Sequence, residues 1–315
     1  MKRWQAWVEA ASRREPAHAV AVVRVGVGLT VALHLLSIWQ SGVWRWIWLQ
    51  PADGGLVKLS STPFDPWLRA TPQSVEVAVL ATAAAALALA FGLATPLAAA
   101  LTALGWAWLT DLGRNAGGSY DFLAANLLFL LVFAGSGGIA SVDAAIRSRL
   151  GRPPPLAPVW PRWLMVWQLV VMYDTTVWQK VSSGWVPGGA ADALWYIFQQ
   201  PTWHRIDMRW LAPAYPLTQI ATLGTWAFEH ASVLLVLAAW FRHTRTRGGW
   251  FRAQFNRVDW RVLYLFVGLL MHVGIELVME VGAFTALTLS AYAAAFSGDE
   301  VRRFVSGLSP RRGTA

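Results

Sequence analysis

AHAVAVVRVGVGLTVALHLLSIWQ, residues 17–40, decides the class of fold. Past His18 at its edge, only Arg24 and His34 interrupt an apolar run of 24 residues. A helix rises about 1.5 Å per residue, so about 20 such residues cross the hydrocarbon core of a bilayer. Outward from this stretch, comparable segments recur at 74–94, 97–112, 121–140, 161–183, 217–241, 260–280 and 282–297. Backbone polar groups in lipid must be satisfied within the segment, which favours helices. The pattern therefore predicts an all-α fold, a polytopic transmembrane helical bundle of about eight spans. The third and last segments are short: tilted partners, re-entrant segments or halves of a hairpin. Gly92 and Pro96 mark the turn between the second and third spans, and Gly282 the turn between the last two.

Composition agrees. Apolar types make up 56% of the 315 residues and charged types 14%, against about 25% charged in soluble domains. The 21 Trp and 14 Phe exceed what one water-soluble core hides. Disorder is excluded. The absence of Cys excludes disulfides, thiolate catalysis and Cys-based metal centres. No phosphate loop, GxSxG, HExxH or DxDxDG pattern occurs, and no nucleic-acid module is evident, so no nucleic-acid partner is expected.

Loop charge gives orientation. With a cytoplasmic N-terminus, the inside segments are 1–16, 95–96, 141–160 with Arg162, 242–261 and the C-terminal tail. They carry 18 Lys and Arg. The outside segments carry six: Arg45, Lys58, Arg69, Arg114, Arg205 and Arg209. The positive-inside rule then places both termini in the cytoplasm of a cell whose inner membrane holds the chain. Basic loops meet anionic membrane lipid there, so the net charge of +9 is no sign of nucleic acid. MKRWQAWVEAASRREP lacks a short apolar stretch with a cleavage site, so the first span reads as a retained anchor. The Pro-rich stretch 141–160 is the candidate boundary between two halves, and no internal repeat is visible.

Ionisable groups at membrane depth cost about 2.5–3.5 kcal/mol each on insertion scales, so each needs a reason. Arg24 reads as snorkelling or pairing with a carboxylate, and His34 as a packing residue or a ligand. Glu229 and His230 fall in the sixth span. His272, Glu276 and Glu280 recur every four residues on the seventh, as helix–helix glue or a metal site, the latter supported by only one His. Asp111 and Asp121 bracket the loop between spans three and four. Asp174 and Lys180 lie on the fifth, where helical spacing puts Tyr173, Thr176 and Lys180 on one face. Burial penalises the charged form of a lysine, and an uncharged amine accepts protons; the alternative is a lysine snorkelling to the outer headgroups. Trp185 would shield that amine only if the helix ended and the chain turned back. The aromatic segment 185–210 is expected to lie flat at the outer surface, as a roof over Lys180 or as an interfacial anchor.

Three blocks together resemble the HTTM family, the membrane domain shared with vitamin K-dependent γ-carboxylase. They are SYDFLAANLLFLLVFAGSGGIASVDA (119–144), MYDTTVWQKVSSGWVPGGAADALWY (172–196) and HVGIELVMEVGAFTALTLSAYAAAF (272–296), with WAFEHASVLL (226–235) resembling the family's Phe-Glu element. The resemblance implies a single domain over 1–300 and a short basic tail over 301–315. It implies that Lys180 is the base acting on a reduced quinone of vitamin K or menaquinol type. In the carboxylases O2 and CO2 are then consumed in carboxylating a substrate Glu. The family's His near the first block is replaced by Gly118, Ser119, Tyr120 and Asp121, so its role is absent or moved to Tyr120 or Asp121. The expected catalytic set is Lys180, Tyr173, Asp121 and Tyr120. The expected cofactor-binding set is His34, Trp185, Glu229, His230, His272 and Glu276, with no metal. The carboxylase's large extramembrane domain has no counterpart after residue 297, which leaves a peptide substrate in question. Three functions stay open: a quinol- and O2-linked membrane enzyme with its site near the extracytoplasmic side, a non-catalytic partner for maturation or export of a secreted peptide, and a proton-coupled transporter.

Overall fold

The computed structural model describes residues 2–56, 61–65 and 68–308. Lys58 and part of the basic tail, residues 309–315, lie outside the described residues. The helices are α1 (Lys2–Ser12), α2 (His18–Gln40), α3 (Val43–Trp48), α4 (Pro72–Phe91), α5 (Thr95–Leu112), α6 (Ser119–Phe133), α7 (Val142–Arg149), α8 (Val159–Trp178), α9 (Ala193–Phe198), α10 (Tyr215–His230), α11 (Val233–His243), α12 (Trp250–Phe255), α13 (Trp260–Val278), α14 (Phe284–Tyr292) and α15 (Gly298–Leu308). One small ladder pairs β1 (Arg14–Glu15) antiparallel with β2 (Ala157–Pro158).

The fold is nearly all helical, and helices fall within each of the eight expected apolar segments. Among the described residues α2, α4 and α13 are long and apolar enough to cross a membrane. A fourth crossing forms if the pair Arg209–His230 and Val233–Arg242, bent by 46°, acts as one span.

The chain divides into two units, residues 1–165 with 290–315, and residues 166–289. The division falls within α8 rather than in the Pro-rich connector 141–160, which belongs wholly to the first unit. In that unit α2, α4, α5 and α6 pack in sequence. Gly28 allows α2 to approach α4 closely, because a Cβ there would lie 2.8 Å from the Ala86 carbonyl oxygen. Thr71 caps α4 by accepting from the Ser74 N–H, and Pro72 opens the helix. Gly92 ends it in the left-handed region (φ 69°), as its expected turn position requires.

Arg24 corrects its expected reading. It does not snorkel, and among the described residues it forms no ion pair. It is fully buried and donates to the carbonyl oxygens of Ser136 (2.7 Å), Ile139 (3.4 Å) and Ala140 (2.5 Å). These carbonyls belong to the turn after α6, where the chain has left the helix and needs donors from elsewhere. A second cation, Arg162, is buried at the start of α8. It donates to both oxygens of Glu15 (2.5 and 3.2 Å) and to the Ala294 carbonyl (2.9 Å). This forked pair and the bond to Ala294 tie β1, α8 and the turn after α14 together within the first unit.

Asp143 holds the start of α5. Its oxygens accept from the N–H groups of Ala94 and Thr95, both at 2.8 Å, and from the Thr95 hydroxyl at 2.7 Å. Partial burial works to raise its proton affinity, but the Thr95 and Ala94 donors and the charge of Arg24 outweigh it, and the carboxyl is held below the usual carboxylate range. A depressed folded-state value means that the stability is fully present above about pH 4 and is lost as pH falls through the folded value. Asp143→Asn is therefore expected to lower the melting temperature in detergent at pH 7. The gap to wild type narrows as pH drops below about 4. Equal gaps at pH 7 and pH 3 would refute this.

Candidate functional site

The second unit carries most of the expected site residues. Its central feature arises at a helix end. α8 stops at Trp178, and the Lys180 N–H closes a turn on the Val177 carbonyl. Lys180 is therefore not on a helical face with Tyr173 and Thr176, as the spacing predicts. Thr176 instead bonds the Met172 carbonyl within α8, and Tyr173 faces a different partner. Past Lys180 the chain turns back through a bond from the Trp185 N–H to Ser182 (2.9 Å). This brings the Trp185 ring centroid to 5.0 Å from Lys180 Nζ. The shielding that required a chain reversal is present, with the helix ending earlier than the sequence suggests.

Lys180 Nζ donates to both oxygens of Glu229 at 2.5 Å. The side chains retain 14% and 8% of their accessible surface, so this is a nearly buried ion pair and not a snorkelling lysine. Glu229 stands next to the last residue of α10. A carboxylate is unfavourable at the negative end of a helix dipole, and the Lys180 ammonium offsets that. An ammonium has three protons and Glu229 engages it through two oxygens, so a third proton remains for another acceptor.

The break after α10 shapes the surroundings. The Ser232 N–H bonds the Glu229 carbonyl rather than that of Phe228. The Phe228 carbonyl is satisfied instead by the Tyr264 hydroxyl at 3.3 Å. The Phe228 and Tyr264 rings stack, 4.4 Å apart and 11° from parallel. Tyr173 meets Phe228 edge-on at 5.2 Å, and its hydroxyl is hydrogen-bonded to His272 Nε2 at 2.7 Å. His272 is fully buried. His230 donates from Nδ1 to the Trp226 carbonyl at 3.0 Å, because a carbonyl only accepts, and its ring lies 3.9 Å from that of Trp226.

The spacing of His272, Glu276 and Glu280 does not yield one stripe. α13 ends at Val278 and Met279 is extended, so Glu280 has left the helix. The Glu280 N–H bonds the Trp203 carbonyl. Arg205 gathers the two carboxylates instead, at 2.9 Å from Glu276 and 3.0 Å from Glu280. His272 faces Tyr173, so the three groups do not converge on one ion. Among the described residues no set of three His, Cys, Asp or Glu is placed to hold a metal. Nothing in the sequence pairs Arg205 with Glu276 across a separation of 71 residues.

The remaining expected residues lie in the first unit. The Tyr120 hydroxyl and His34 Nε2 are 3.5 Å apart, with the rings edge to face at 5.5 Å. Asp121 accepts from the Gly118 N–H at 2.7 Å and so starts α6. Tyr120, Asp121 and His34 thus form a local group in one unit, while Lys180, Tyr173, Trp185, Glu229, His230, His272 and Glu276 belong to the other.

The family model for the HTTM domain matches residues 12–290. No curated protein and no solved structure matches the chain.

Removing one partner of a buried pair strands the other charge and costs about 3–5 kcal/mol, whereas replacing both with apolar groups is often neutral. Lys180→Met and Glu229→Leu are each expected to lower unfolding stability by roughly that amount. The double variant should recover most of it. Additive losses in thermal unfolding of the detergent-purified protein would contradict the pairing.

Proposed function

The chain belongs to the HTTM family and is a helical membrane protein, and from that premise we propose a quinol- and O2-linked membrane enzyme in which Lys180 is the base. The observation that carries this reading is the Lys180–Glu229 pair, closed on one side by the Trp185 ring. In this reading the chain crosses an inner membrane about eight times, with both termini cytoplasmic and Lys180 near the extracytoplasmic side. Residues 1–300 form one domain with a short basic tail.

The donor set fits a hydroxylic aromatic ligand. An indole face offers stacking, an amine meets a hydroxyl, and the surrounding helices are apolar. A reduced quinone bound there would supply reducing electrons to O2, with CO2 consumed as well if the product is a carboxylated peptide. Transfer of a proton from Lys180 Nζ to Glu229 across 2.5 Å leaves an uncharged amine. That amine would then be able to accept a hydroxyl proton from a bound ligand, with Glu229 holding the displaced proton. Trp185 limits the access of water to the amine. Tyr173, hydrogen-bonded to His272, and His230 are the neighbouring groups able to carry protons within the second unit.

A second reading has its own observation. Lys180 and Glu229 satisfy each other, which suits a structural brace in a non-catalytic partner for a secreted peptide. Purified wild type and Lys180→Ala, assayed for O2-dependent oxidation of menaquinol or vitamin K hydroquinone, separate the two. General-base loss predicts a fall of about 100-fold or more with the fold retained. No wild-type oxidation, or equal rates, would defeat the enzymatic reading. Retained peptide maturation in cells carrying Lys180→Ala would select the partner.

A further inference from the structure

Away from that site, the first unit contains a hollow of about 330 Å3 beside α7, lined in part by Ser136, Asp143, Ile146, Arg147, Leu150 and Arg152. Its charge is unbalanced. Asp143 is engaged by the Ala94 and Thr95 donors, and the nearby cation acting on it is buried Arg24. Arg147 and Arg152 have no hydrogen-bond or ion-pair partner for their guanidinium groups among the described residues. The hydroxyl of Ser136 is buried and also lacks a partner there. Two unmatched guanidinium groups beside an unused donor suit a phosphate, which takes forked hydrogen bonds from arginine.

The rim of the hollow is greasy. Ile146 on α7 and Leu150 just past its end line it and are 49% and 62% exposed, and Val142, four residues before Ile146, is 39% exposed. A second hollow of about 400 Å3, also beside α7, is lined chiefly by apolar groups, among them Val25, Leu29, Phe91, Val142 and Ala145. A water-borne phosphate has no use for such a border. An amphiphile with a phosphate head and acyl chains uses both parts.

We propose that the hollow formed by Ser136, Arg147 and Arg152 binds the phosphate headgroup of an anionic phospholipid, with its acyl chains along the Val142, Ile146 and Leu150 stripe. The site is built and specific, unlike the diffuse attraction of basic loops to a charged surface. It holds α7 and the turn after α6 against the lipid, the same turn whose carbonyls Arg24 satisfies.

The full chain in detergent is titrated with phosphatidylglycerol and with phosphatidylcholine, and bound lipid is counted by native mass spectrometry. Wild type is expected to prefer phosphatidylglycerol by about tenfold, equivalent to about 1.4 kcal/mol. Arg147→Ala with Arg152→Ala removes the preference. Arg152→Ala alone, in an exposed loop, weakens it several-fold and guards against misfolding of the double variant. Arg149→Ala, on α7 but outside the hollow, binds as wild type does. The proposal is overturned if wild type shows no preference, if the arginine variants keep it, if Arg149→Ala loses as much, or if inorganic phosphate competes as strongly as the lipid.

Discussion

A charge among apolar helices has no water to turn to, and its compensation must come from within the protein. Three enclosed cations meet this demand in different ways. Arg24 satisfies backbone carbonyls, Arg162 a carboxylate and a carbonyl together, and Lys180 a carboxylate alone. Each solution joins segments far apart in sequence, so the burial of charge also fixes which segments meet. Arg24 couples α2 to a turn more than 110 residues later. Lys180 couples the end of α8 to the end of α10.

Helix ends recur at several of the chemically interesting places. Lys180 follows the last turn of α8, Glu229 precedes a break, and Asp143 serves the first turn of α5. The reason is elementary. A helix interior has its polar backbone groups paired, while its ends leave carbonyls or N–H groups that attract charge. A break at Ala231 and Ser232 releases the Phe228 carbonyl, and the Tyr264 hydroxyl that takes it brings an aromatic stack against the residue preceding Glu229. The aromatic neighbourhood of the ion pair thus follows in part from one interrupted helix.

Membership of the HTTM family and the helical membrane architecture stand independently of what Lys180 does. The enzymatic reading asks more of the pair than the structural one does: the proton must be able to move between two groups that already satisfy each other. In that reading the Trp185 ring beside the amine would keep out water that competes for the same proton.

Hydrophobic run length and glycine placement determined the membrane class, the helical segments and the turns at Gly92 and Gly282, because these depend only on local composition and on the backbone near each residue. The Phe-Glu and Lys blocks also pointed to the two members of the central pair. That they meet was a tertiary matter. Periodicity extends a helix until something stops it, so it carried Lys180 onto the face of Tyr173 and Glu280 onto that of His272. In the folded chain α8 ends at Trp178 and α13 at Val278, where Lys180 finds Glu229 and Arg205 gathers Glu276 and Glu280. Which charge satisfies which is settled by segments brought together from 49 to 75 positions apart, and no local pattern encodes that choice.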